Sequence, residues 1–270
     1  MPYIIHRYLT NTKTNPQPPG FADFLRGTIT LYQYSKEFNY EFKLDIGSHP
    51  IFKFLDIPEL NSAYLDSSED TIELLPPVAY HDMPRIIENL FSYNNNINIL
   101  TNAYYKEHTN ILNDYQFIKS LLNPKVILTD YIKKIQYTTK INYEEPYIVI
   151  HVREGDNVLV NKNIINTNIV KKVRSYIQII KLQNKQILLI ADSHQLKQNI
   201  IDLCETTKTI PIHTGSLDTK DVDERLLTTL GEFFIMSKAS KIYCINHWDG
   251  SGYSRICSKL YSIEYECLPL

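Results

Sequence analysis

Cysteine is scarce in this chain and is nowhere paired by spacing. Cys204, Cys244, Cys257 and Cys267 contain no Cys-x-x-Cys and lie among apolar neighbours, as buried free thiols do. That excludes a disulfide scaffold and points to a reducing compartment. The 8 histidines show no His-x-x-x-His or similar ligand spacing, which argues against a histidine-built metal hydrolase. Long apolar runs are missing too. Nothing approaches the length needed to span a bilayer, and Met-Pro-Tyr-Ile-Ile-His-Arg at the amino terminus lacks the apolar core of a signal peptide. No excess of one charge is present: 28 Lys and Arg face 30 Asp and Glu, for a net −2. A nucleic-acid partner or an anionic membrane therefore has no global electrostatic basis, and any phosphate site must be local.

What is present is an ordinary globular composition, 43% hydrophobic and 21% charged over 270 residues, enough for two domains with cores of their own. The abundance of Ile, Asn, Lys and Tyr suggests an AT-rich genome. With no anchor and free thiols, a cytosolic protein of bacterial or viral origin is expected.

The carboxyl-terminal half alternates strand and helix. Strands are expected at 146–151, 186–191, 209–212 and 241–245, with helices at 164–182, 194–205, 222–238 and 251–262. Ile169, Val173, Ile177 and Ile180 repeat at helical spacing in the first of these helices. Strands separated by helices of this length imply right-handed crossovers and a parallel sheet. The amino-terminal half is less regular. It begins with a strand at 3–8, a proline-bearing loop and a helix from Phe21 to Tyr34. Strand-like pieces at 39–44 and 51–55 follow, then helices at 84–93, 110–122 and 125–138. Glu144-Glu145-Pro146 is the expected link between a domain of residues 1–143 and one of 144–270.

Four segments place polar residues where a strand end or helix start meets a ligand. The first is Tyr147-Ile-Val-Ile-His151-Val-Arg153-Glu154-Gly155-Asp156, an apolar run that stops at a polar cluster. Ligands of open α/β folds sit beyond the carboxyl ends of strands, and a guanidinium fixed there clamps phosphate oxygens through paired hydrogen bonds. The plain alternative is a strand followed by a turn at Gly155 and Asp156. The second segment ends a strand with Ala191-Asp192-Ser193. Asp192 suits a ribose hydroxyl or a neighbouring backbone, and Ser193 suits a helix N-cap equally well. The third runs from Gly231-Glu232 through the strand 241–245 to Gly250-Ser251-Gly252-Tyr253-Ser254-Arg255. Free amides and two hydroxyls at that helix start suit an anion, and the Glu232 carboxylate suits the paired N–H donors of a guanine edge. The fourth, Gly20-Phe21-Ala22-Asp23-Phe24-Leu25-Arg26, puts a glycine between strand and helix, where backbone amides approach a phosphate or sugar.

The order of these segments resembles the superfamily of GDP-fucose-dependent fucosyltransferases that comprises the α1,2-, α1,6- and protein O-fucosyltransferases. Their His-x-Arg-Arg-x-Asp motif stands here as His151-Val152-Arg153-Glu154-Gly155-Asp156. Ala191-Asp192-Ser193 and Glu232 through Ser254 are similar to the second and third motifs, and the Gly20 segment is similar to their Gly-x-Gly-Asn-Gln loop. The resemblance implies an α/β fold of the GT-B type, with two Rossmann-like domains facing across a cleft. It implies metal-independent, inverting transfer from a GDP-sugar to a glycan acceptor, with no cofactor. Arg153 would contact the β-phosphate, His151 and Glu232 the guanine, and Ser251, Gly252, Tyr253 and Ser254 the phosphates. Gly20, Arg26, Asp156, Asp192 and Ser193 would complete the donor site.

Two positions depart from the pattern. Glu154 replaces the second arginine, so a carboxylate stands where a cation is expected. Asp23 falls where the asparagine would be, and either takes the acceptor's proton or caps the helix that follows. Two other readings remain open. Asp221-Val222-Asp223 matches the Asp-x-Asp of a metal-dependent GT-A glycosyltransferase, although acids at a helix start are common. A glycan- or nucleotide-binding protein that kept the fold without catalysis is the other, and Glu154 favours it.

Overall fold

The computed structural model describes residues 2–8, 20–46, 49–57, 72–74, 83–92, 97–101, 112–155, 167–208, 221–247 and 250–270. These fall into two compact units, one ending at Lys125 and the other beginning at Val126.

The first unit is built on a parallel sheet of β1 (Tyr3–Arg7), β2 (Glu41–Asp45), β3 (Ile72–Leu74) and β4 (Ile97–Thr101), in the order β2-β1-β4-β3. Ile4, Ile5 and His6 of the central β1 are fully buried. Helix α1 (Phe21–Glu37) packs on this sheet, and Tyr8 stacks on Phe24 at 4.3 Å. Helices α2 (Met83–Ser92) and α3 (Leu112–Ser120) lie close to their expected ranges. Residues 51–55 do not form a strand. Pro50 opens a short 3₁₀ turn, Pro50–Lys53, whose Ile51 amide donates to the His49 ring at 3.1 Å. The proline and the histidine cap turn a strand-like composition into a tight turn.

The second unit carries the regular alternation read from the sequence. Helix α4 (Val126–Thr138) precedes β5 (Tyr147–Arg153), α5 (Thr167–Lys181), β6 (Gln186–Ala191), α6 (His194–Ile200) and β7 (Glu205–Thr206). Then come α7 (Val222–Met236), β8 (Lys241–Asn246), α8 (Gly252–Tyr261) and β9 (Glu264–Pro269). Helix α6 stops five residues short of its expected end, and the last of them, Glu205, opens β7. The expected strand at 209–212 lies outside the described residues. Among the described residues no helix is long and apolar enough to cross a membrane.

All five strands are parallel, in the order β7-β6-β5-β8-β9. The two faces of β5 explain its unbroken apolar run. Alternate residues point to opposite faces, so Ile148, Ile150 and Val152 join Ile169, Val173, Ile177 and Leu196 in a core beneath α5 and α6. The odd-numbered residues meet α7 and α8, and the Tyr147 hydroxyl donates to the Ile235 carbonyl at 2.5 Å. Packing moves the division between units upstream of the Glu144–Pro146 link. Helix α4 lies against α7, with the Tyr131 and Thr228 hydroxyls 2.8 Å apart.

Candidate donor site at the strand ends

The chain runs outward from β5 to β6 and β7, then returns to β8 and β9 on the other side of β5. The carboxyl ends of β5 and β8 therefore form a topological switch point, where the crossovers diverge and leave a crevice. His151, Arg153, Asp192 and Ser251 through Ser254 are brought together at that edge.

Asp192 organises it. The Arg153 guanidinium donates to one Asp192 oxygen at 2.8 Å, and the backbone amides of Glu154 and Gly155 donate to the same carboxylate at 3.0 and 3.1 Å. Only 4% of the Asp192 side chain is exposed, against 21% for Arg153. The carboxylate thus fixes the cation from within and folds the turn after β5, where Gly155 takes a φ of 114° that a side chain would resist. Asp192 acts here on the backbone and on Arg153. Ser193 caps α6 by accepting from the Leu196 amide at 3.1 Å. Burial and the Asp192 charge push the pKa of the Glu154 carboxyl up to about 7.

His151 is buried on the α7–α8 face. Its Nδ1 lies 3.0 Å from the Ser254 hydroxyl and its ring is tilted against Tyr253. Burial, with Arg153 and Lys197 nearby, lowers its basicity to about 3, so the imidazole is neutral at physiological pH. Tyr253 donates to the Thr229 carbonyl and its own acidity is pushed far down by burial. It is a packing residue as well as a helix-start residue. Ser251 is buried, with its amide directed to the Cys244 sulfur at 3.2 Å.

Glu232 is 1% exposed. Its Oε1 accepts from the Thr207 hydroxyl at 2.5 Å and from the Lys197 ammonium at 3.2 Å. The pair reaches the edge electrostatically, since Lys197 lowers the basicity of His151 and Glu232 disfavours ionisation of Tyr253. Asp156 lies outside the described residues. The sequence reading missed Lys197, Thr207 and Asn246. Asn246 is fully buried, ends β8 and lies in register with Arg153. A polar residue closing an apolar strand, the signal that marked Asp192, also marks Asn246. A lysine on an amphipathic helix offers no such signal.

In the first unit Gly20 is the N-cap of α1, in extended conformation. Asp23 is the third helical residue and forms an i,i+3 ion pair with Arg26. It therefore lies inside the first turn of α1 and is not the cap of a helix that follows it. Asp221 and Asp223 sit at the start of α7, where the helix dipole favours acids. An open cavity of about 340 Å³ lies at the other end of β6, beside Lys185 and Gln186, and contains none of the expected site residues.

No protein-family model matches the sequence, and no curated protein matches it. Solved structures do match. The NodZ α1,6-fucosyltransferase soaked with GDP-fucose is 14% identical, covering 96% of this chain and 92% of its own, with a TM-score of 0.60. The Arabidopsis thaliana FUT1 mutant in complex with GDP is 11% identical over 99% of this chain and 70% of its own, with a TM-score of 0.62. POFUT1 in complex with GDP covers 98% of both chains at 9% identity and a TM-score of 0.51. The protein has the α/β fold of these GDP-fucose fucosyltransferases.

Proposed function

We propose that the protein is a glycosyltransferase that moves fucose from GDP-fucose to a glycan hydroxyl by inverting, metal-independent displacement. The observation that carries this reading is the buried Asp192 carboxylate holding Arg153 at the switch point. A cation aimed by the protein, without reorganisation at the moment of reaction, stabilises the charge that develops as a diphosphate departs. The amides at the start of α8 add to it. His151 and Glu232 serve the base, with Glu232 oriented by Lys197 and Thr207. Asp23 takes the proton of the acceptor hydroxyl. The fold shared with NodZ and FUT1, structures that hold GDP-fucose and GDP, supports the same donor. We place the enzyme in the cytosol of a bacterium or an infected cell, on its four free thiols.

Calorimetry with GDP, ADP and UDP, paired with a transfer assay, tests the reading. GDP is expected to bind most tightly, and Glu232→Gln to narrow its lead. Arg153→Ala should lower transfer by about 10²-fold or more, with poor rescue by Lys, which cannot reproduce the planar fork. Full turnover in Arg153→Ala would sink the proposal. Tight GDP binding with neither transfer nor hydrolysis would establish the binding-protein alternative.

A further inference from the structure

Both units end an inner strand with an arginine beside an aspartate. In the second unit Arg153 closes β5, and Asp192, the residue after β6, holds it at 2.8 Å. In the first unit Arg7 closes β1 and lies in register with Asp45, which closes β2. The chain leaves β1 for β2 on one side and returns to β3 and β4 on the other, so the carboxyl ends of β1 and β4 form a second switch point. The first pair is the looser one. Arg7 Nε stands 3.8 Å from Asp45 Oδ2, outside hydrogen-bond reach, although only 14% of the Arg7 side chain is exposed. That Nε is closed off from solvent and has no hydrogen-bond partner among the described residues. A largely buried guanidinium with a donor unused carries a desolvation cost that an arriving anion would offset.

One contact ties this edge to Asp23. Tyr8, the residue after Arg7, stacks on Phe24, the residue after Asp23, with ring centroids 4.3 Å apart. The end of β1 and the first turn of α1 therefore meet, and α1 opens there without a side-chain cap at Gly20. Arg7 alternates with Tyr8 and so faces away from α1. It and Asp23 flank the strand end from the two sides of the sheet. Resting on the reading of Asp23 as the base for the acceptor hydroxyl, we infer that Arg7 is an acceptor-binding residue and that the acceptor is an acidic glycan. Its carboxylate or phosphate would take the paired N–H donors of the guanidinium. Asp45 balances the charge of Arg7 in the free protein without saturating its donors, which leaves them for the ligand. A neutral sugar offers no countercharge for this cation.

The test titrates glucuronate, inorganic phosphate and glucose into the full chain, held saturated with GDP so that the Arg153 edge is occupied. Binding is read by ligand-observed NMR. At least one of the two anions is expected to bind about tenfold or more tightly than glucose, as charge-assisted paired hydrogen bonds allow. Glucuronate alone would mark a carboxylate on the acceptor, and phosphate alone a phosphorylated one. Arg7→Gln should bring the anions down to the level of glucose and leave GDP affinity unchanged. Asp45→Asn, which removes the competing carboxylate, should tighten anion binding, where a purely structural ion pair would give only lower stability. Wild-type binding of the anions no tighter than glucose overturns the inference, as does an anion preference that survives Arg7→Gln. The wild-type comparison and Asp45→Asn decide the matter if Arg7→Gln does not fold. Failure of the wild type to bind GDP would remove the donor reading instead, and the same titrations without GDP would still test Arg7.

Discussion

A carboxylate does different work according to what holds it, and three acids of this chain show the range. Asp192 is buried and saturated by three donors, so it acts as a fixed brace for Arg153. Glu232 is buried against a lysine and a threonine, where breaking the pair would strand a charge. Asp23 is about a quarter exposed and pairs with Arg26. A partly exposed i,i+3 ion pair contributes little to stability, roughly 0.2–1 kcal/mol. Asp23→Asn is therefore expected to leave the melting temperature nearly unchanged and GDP affinity intact, while lowering turnover with the true acceptor severely. Turnover at the wild-type rate would leave Asp23 as a partner of Arg26 alone. His151, Arg153 and Asp192 were visible beforehand because each closes or follows an apolar run. Lys197 was not, since its role depends on a partner 35 residues away that no local pattern names.

At the scale of elements, β1, β2, β5, β6 and β8 announced themselves, and β3, β4, β7 and β9 did not. β5, β6 and β8 are covered on both faces and read as continuous apolar runs. β9, Glu264–Pro269, alternates polar and half-buried residues at the sheet edge and escaped notice. β3 has only three residues, too few for any period. Helix α4 was expected in its observed place, but its partner was not. The reason is Gly231 on α7. A Cβ built there comes within 2.8 Å of the Ile135 side chain and 3.3 Å of Tyr131, so the missing side chain lets the two helices approach. Gly231→Val should force them apart and cost about 1–3 kcal/mol. Urea unfolding measures this, and an unchanged midpoint would show that Ile135 yields freely.

For the whole molecule, this contact decides where the second unit begins. A fragment starting at Val126 keeps α4 on α7, and one starting at Glu144, the link suggested by composition, loses it. The longer fragment is expected to unfold in one cooperative step at a higher temperature than the shorter. Equal melting temperatures would return the boundary to the Pro146 link. Composition marked that link correctly as polar and proline-bearing. It could not show that the helix before it belongs to the later core, because that depends on a glycine some ninety residues downstream.

The shared Asp192 anchor also supplies a clock. The Glu154 and Gly155 amides exchange their hydrogens with solvent only when the carboxylate lets go, and that same event releases the arginine. Deuterium uptake at these two amides therefore times the opening of the strand-end clamp in the ligand-free protein.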